Sequence, residues 1–187
     1  NSFKFKIILV TSSRTPGIVE NSWRTLATRS GDVDPSVIDY LIEEVGLDMK
    51  EVIKMLNKES GLLGVSGVSS DFRDVQEAAA NGNERAQLAL DIFFRRVIAY
   101  IGRYFIALGG VDAICFTAGI GENSFFARKE ICNLLAEALG IEIDDDANVN
   151  GKGDRLISTP NSKVKVYVIP TNEELVIARD TKRLLNL

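Results

Sequence analysis

Residues 112–124, Asp-Ala-Ile-Cys-Phe-Thr-Ala-Gly-Ile-Gly-Glu-Asn-Ser, constrain the fold more than any other stretch of the chain. The run from 112 to 118 is short, apolar and β-prone, which predicts a buried strand. Two glycines one residue apart follow, then a carboxylate, an amide and a hydroxyl. Beyond them the pattern predicts a helix from Ser124 to Leu139, closed by Gly140. The turn between has two readings. Its glycines can simply supply backbone freedom, with Asn123 or Ser124 as N-cap. Alternatively, bare backbone at the start of a helix lets a phosphate or nucleotide approach closely.

The rest of the chain fits a layered α/β domain. Residues 5–11 are β-prone, and residues 12–34, rich in Gly, Ser, Arg and Asp, read as loop. Asp34 as cap and Pro35 at the first helical position start a helix to about Val45, stopped by Gly46. A second helix spans about Met49 to Asn57. Residues 61–70 read as small and flexible, and Asp71 caps a short helix toward Ala80. The clearest helix runs from Glu84 to Leu108. Its stripe of Leu90, Phe93, Phe94, Val97, Ile98, Ile101 and Phe105 ends at Gly109 and Gly110, and suits a core or dimer surface better than a ligand site. Residues 155–159 and 163–169 read as two further strands; in the second, Lys163, Lys165 and Tyr167 alternate with Val164, Val166 and Val168. Pro170 stops that strand, and a last helix spans about Asn172 to Leu184.

Composition narrows the chemistry. A chain of 187 residues, 45% hydrophobic and 26% charged, can bury a sizeable core. A net charge of −4 without a basic run argues against nucleic acid or an anionic membrane as partner. No apolar run is long enough to span a bilayer, and the N-terminus lacks the apolar core of a signal peptide. Cys115 and Cys132 lie far apart in apolar surroundings, which points to a reduced, cytoplasmic setting. The chain contains no histidine. A Ser–His or Cys–His nucleophile and a His-ligated zinc are therefore excluded within it. Carboxylates, arginine, lysine, backbone amides and a hard metal ion remain, a set suited to phosphoryl transfer.

The glycine turn is neither of the common nucleotide fingerprints. A dinucleotide site needs a third glycine where this chain has Ser124, and no Gly-Lys-Ser/Thr follows for a phosphate loop of the Walker type. Three other stretches bear on it. Thr28 to Pro35 sets Arg29 among small and acidic residues, where pairing with Asp32 or Asp34 is the simplest account. Residues 66–74 place Asp71, Phe72, Arg73 and Asp74 at a helix start, where plain capping by Asp71 suffices. Glu173 and Glu174 fall in the first turn of the last helix, where carboxylates favour the dipole.

Taken together, Thr28–Pro35, residues 60–74, 82–90, 116–124 and 169–175 resemble the acetate kinase (acetokinase) family in order and spacing. The resemblance covers residue 28 to the C-terminus and corresponds to the family's C-terminal, nucleotide-binding and dimerisation domain. It implies an α/β fold of the ribonuclease-H-like, actin-like ATPase type, shared with sugar kinases. It also implies transfer of the ATP γ-phosphoryl group to acetate, giving acetyl phosphate and ADP, with Mg²⁺. By the same resemblance Arg29 steadies the charge on the phosphoryl in flight, and Glu173 is the carboxylate associated with the metal. Asp71, Phe72 and Arg73 match positions around adenine and ribose, and Gly119, Ile120, Gly121 and Asn123 match the opposite wall of that pocket. A homodimer is implied as well.

The departures matter equally. Residues 1–27 do not resemble the family, and Leu26 and Ala27 stand where it has Met-Gly. The family's N-terminal domain, with its catalytic aspartate, second arginine and histidines, is missing, as is its Asn-Gly phosphate loop. Two classes of function follow: an acetate kinase domain, incomplete and inactive alone, or a nucleotide-binding or dimerising remnant without catalysis. A propionate or butyrate kinase relative is a variant of the first.

Overall fold

The computed structural model describes residues 5–11, 29–171 and 173–185. Of the loop read at 12–34, residues 12–28, with the segment boundary at Leu26 and Ala27, lie outside these residues. The chain divides into two compact units, Ser12–Gly110 and, together, Asn1–Thr11 with Val111–Leu187. The expected single layered domain is thus confined to the second of these. Gly109 and Gly110 mark the boundary. Both adopt left-handed backbone (φ 65° and 123°), so the helix stop read in the sequence is also the end of a unit.

The first unit is helical among the described residues: α1 (Pro35–Glu43), α2 (Met49–Lys58), α3 (Gly61–Ser66), α4 (Phe72–Ala80) and α5 (Glu84–Leu108). Local chemistry explains most of these starts. Asp48 and Glu51 form a capping box on α2, and Asn83 caps α5 by accepting from the Ala86 amide. The apolar stripe of α5 is core. Phe72 of α4 packs on Phe93 and Phe94 with ring centroids 5.3 and 6.2 Å away, and Leu90, Val97 and Ile101 are fully buried. Ile98 and Phe105 are half-buried. Residues 61–66, expected to be small and flexible, instead form α3. Leu62 is buried, and Arg85 donates to the Val65 and Gly64 carbonyls at 2.9 and 3.1 Å, capping a helix end that propensity disfavours.

The second unit holds a four-stranded sheet ordered β1-β2-β4-β3, from β1 (Ile7–Thr11), β2 (Ala113–Thr117), β3 (Arg155–Leu156) and β4 (Lys165–Val168). β1 and β4 run parallel to β2, and β3 runs antiparallel to β4. All five residues of β2 are buried, as expected for the centre of such a sheet. β1 is an edge strand whose Ile8 and Val10 are buried while Ile7 and Leu9 are exposed. α6 (Ala118–Asn123), α7 (Phe125–Leu139), α8 (Asp145–Asn150) and α9 (Glu173–Leu185) complete the unit. This mixed α/β unit, a central sheet flanked by helices, is consistent with an actin-like ATPase fold.

Candidate functional site

The turn after β2 keeps the Ser124 cap of the first sequence reading but inserts a short helix before it. It does not pass directly into the long helix. Residues 118–123 form α6, interrupted at Gly119 by non-helical backbone (φ 9°, ψ −101°), and Ser124 then caps α7 by accepting from the Ala127 amide at 3.1 Å. Asn123 is no cap; its side-chain amide donates to the Gly119 carbonyl at 2.8 Å and closes the turn on itself. The two glycines have separate tasks. Gly121 is buried, and a Cβ there would lie 3.3 Å from the Val10 carbonyl oxygen and 3.4 Å from the Phe116 carbonyl carbon. It lets α6 lie against the strand ends. Gly119 and Asn123 are exposed and Ile120 half-buried, so of the four positions assigned to the pocket wall these three are accessible and Gly121 is not.

Two groups that the sequence did not assign hold this turn. Arg128 of α7 is buried, with its guanidinium donating to the Gly121 carbonyl (3.0 Å), the Glu122 carbonyl (2.8 Å) and both oxygens of the buried Asn148 (2.6 and 2.7 Å). Asn148 in turn donates to the Phe125 carbonyl at 3.0 Å. Burial draws the guanidinium down to about 10, still charged at neutral pH. The second group is Glu122, whose Oε1 accepts from the Ala118 amide at 2.5 Å and from the Thr171 amide at 2.7 Å. No signal in the sequence pairs Arg128 with Asn148, because the partners meet only through the packing of α7 on α8.

The remaining candidates are placed as follows. Arg29 is half-buried and forms no ion pair among the described residues. The two carboxylates that could have neutralised it are committed elsewhere: Asp32 pairs with Arg96 at 2.7 Å, and Asp34 caps α1 by accepting from the Ser36 amide at 2.9 Å. Gly31, just before Asp32, has φ 85°, a conformation that favours glycine, and a Cβ there would come within 2.7 Å of the Arg96 guanidinium. Ser30 borders a cavity of about 410 Å³ whose lining includes Met55, Leu62, Ile92 and Arg96.

Asp71 caps α4 through the Arg73 amide (2.8 Å), and its carboxylate also accepts from the Arg73 guanidinium at 2.6 and 3.1 Å. That pairing holds the Asp71 carboxyl at about 2, below the usual range. Phe72 lies in the aromatic core, so its ring is not available to a ligand. Glu173 is the first residue of α9. Among the described residues no cluster of three or more metal-ligating side chains occurs. Cys115 and Cys132 are buried and free, with burial pushing the Cys132 thiol up to about 12. No helix among the described residues is long and apolar enough to cross a membrane.

The model of the acetokinase family matches residues 23–179. An acetate kinase of Clostridium novyi (strain NT) is 56% identical over 161 residues, which are 86% of this chain and 40% of that protein. The crystal structure of Porphyromonas gingivalis acetate kinase superposes with a TM-score of 0.77 at 48% identity, over 85% of this chain and 40% of the other. A propionate kinase from Francisella tularensis gives 0.74 at 43% identity, covering 81% of this chain and 38% of its own. The chain therefore spans about two fifths of the length of these relatives. Over that span its sequence and fold together show that the chain belongs to the acetokinase family.

Proposed function

We propose that this chain is the C-terminal, nucleotide-binding part of an acetate kinase, an enzyme that reversibly moves the γ-phosphoryl group of ATP to acetate, giving acetyl phosphate and ADP. The observation that carries the reading is Arg29, half-buried and, among the described residues, without a carboxylate partner while Asp32 and Asp34 are engaged by Arg96 and Ser36. An arginine kept uncommitted in this way is suited to charge that develops on a transferring phosphoryl group. Gly119, Ile120 and Asn123 present backbone and a small polar group to the nucleoside, with Gly121 packing the turn on the sheet. Asp71 and Arg73 would first have to give up their mutual ion pair to take part.

Mg²⁺ fits this donor set as an ion held chiefly by nucleotide phosphates. Such a site needs only one or two protein carboxylates, and Glu173 at the head of α9 would supply one. When bound, the ion would neutralise phosphate charge. Exposed apolar side chains in the helical unit, among them Tyr40, Met49, Ile53 and Ile106, support a homodimer. Light scattering should then give twice 20.5 kDa, and a monomer at micromolar concentration counts against it.

The span of two fifths of its relatives supports the view that the chain alone does not turn over. A hydroxamate assay tests this: the chain by itself should give no acyl phosphate above background, and full enzymatic rates from it would refute the reading. The likeness to a propionate kinase keeps a related short-chain carboxylate as the alternative acceptor.

A further inference from the structure

The Glu122 carboxylate joins two stretches 49 residues apart. Its Oε1 accepts from the Ala118 amide (2.5 Å), the Thr171 amide (2.7 Å) and the Thr171 hydroxyl (2.9 Å). Ala118 is the sole non-glycine residue at positive φ (54°) among the described residues, a conformation in which a Cβ is strained. Its amide is turned onto Glu122 in that conformation. Thr171 lies between β4 and α9, two residues before Glu173. Arg128 holds the other side of the same residue through the Glu122 backbone carbonyl.

We propose that Glu122 is a positioning residue that holds the Gly119–Asn123 turn in its binding shape and couples it to the head of α9, so that nucleoside binding at the turn is felt at Thr171. This rests on the nucleotide reading of the turn given above. An acceptor-only group suits the task, because all three partners are donors and hydrogen bonds to an ionised oxygen are the stronger kind. Aspartate would fall one methylene short. Glutamine would keep an oxygen in place but bring two N–H groups that need acceptors of their own.

The experiment measures adenosine affinity by calorimetry, and Ala118 and Thr171 amide shifts and exchange by NMR, on the full 187-residue chain, three single variants and one double variant. Glu122→Ala should weaken adenosine binding by about tenfold, a change of RT ln 10. It should speed exchange at both amides and silence the response of the Thr171 amide to adenosine. Glu122→Gln should recover most of the affinity. Thr171→Val, which keeps the amide and loses the hydroxyl, should shift the Ala118 amide, and combined with Glu122→Ala should add nothing further. A Thr171 amide that still responds in Glu122→Ala, or unchanged affinity in that variant, overturns the coupling while leaving the nucleotide reading intact. A parent chain that binds no adenosine overturns the nucleotide reading and the proposal together.

Discussion

Two motifs of this chain carry the same resemblance and are built in opposite ways. Asp71–Arg73 is self-contained: the carboxylate caps its own helix and pairs with a guanidinium two residues away, and Arg73 is otherwise in solvent. The Gly119–Asn123 turn is held from a distance. Arg128 of α7, itself held by Asn148 of α8, grips its carbonyls, and Glu122 ties it to Thr171. A motif that satisfies itself locally is fully explained by helix capping. One whose shape depends on buried, charged groups elsewhere in the fold has been given a geometry that capping does not require.

Breaking the distant support should have the largest effect. Arg128→Met leaves Asn148 and two turn carbonyls without their donor in a dry environment, a loss of about 3 kcal/mol in chemical denaturation. A loss below about 1 kcal/mol, the scale of an ordinary net hydrogen bond, would mean that the turn does not depend on it. Next in size is Gly119→Val, which puts a branched side chain where the nucleoside should lie. It should abolish adenosine binding with the circular dichroism spectrum unchanged, and binding equal to the parent would remove the turn from the site.

Altering the local motif should do least. Asp71→Asn should lower the melting temperature only slightly and should leave adenosine binding measurable. The Asp71 carboxyl titrates lower in the folded chain (about 2) than in the unfolded one, so its contribution is present above the unfolded value of about 4. That contribution is lost as pH falls from about 4 to about 2. In an acid-denaturation series the difference between parent and Asp71→Asn should therefore shrink across that window. A difference that persists at the acid end would assign Asp71 some role other than its pairing with Arg73.

The same contrast explains what could be read in the sequence. Elements fixed by local signals were legible: α5 has the bounds its stripe and Gly109 predict, and β2 and α7 follow the apolar run and Ser124. Elements fixed by tertiary contacts were not. α3 depends on Arg85 reaching its carbonyls from 20 residues away, and α8, a polar six-residue helix, is anchored inward by Asn148 meeting Arg128. For the candidate site, the turn and its exposed residues were visible as a pattern. The charges that hold it, Arg128 and Glu122, were not, since nothing along the chain marks a partner 20 or 49 residues off. Phe72 shows the converse: a residue inside a recognisable motif whose ring belongs to the core.

The central claim is that this chain recognises the nucleoside while most of the groups that grip the phosphates lie outside it. Calorimetric titration of the folded chain with adenosine, ADP and ATP tests it most directly. The three should bind within a few-fold of one another at roughly millimolar affinity, worth about 4 kcal/mol. No binding of adenosine, or ATP bound about a hundredfold more tightly than adenosine, a gap of nearly 3 kcal/mol, would contradict the claim.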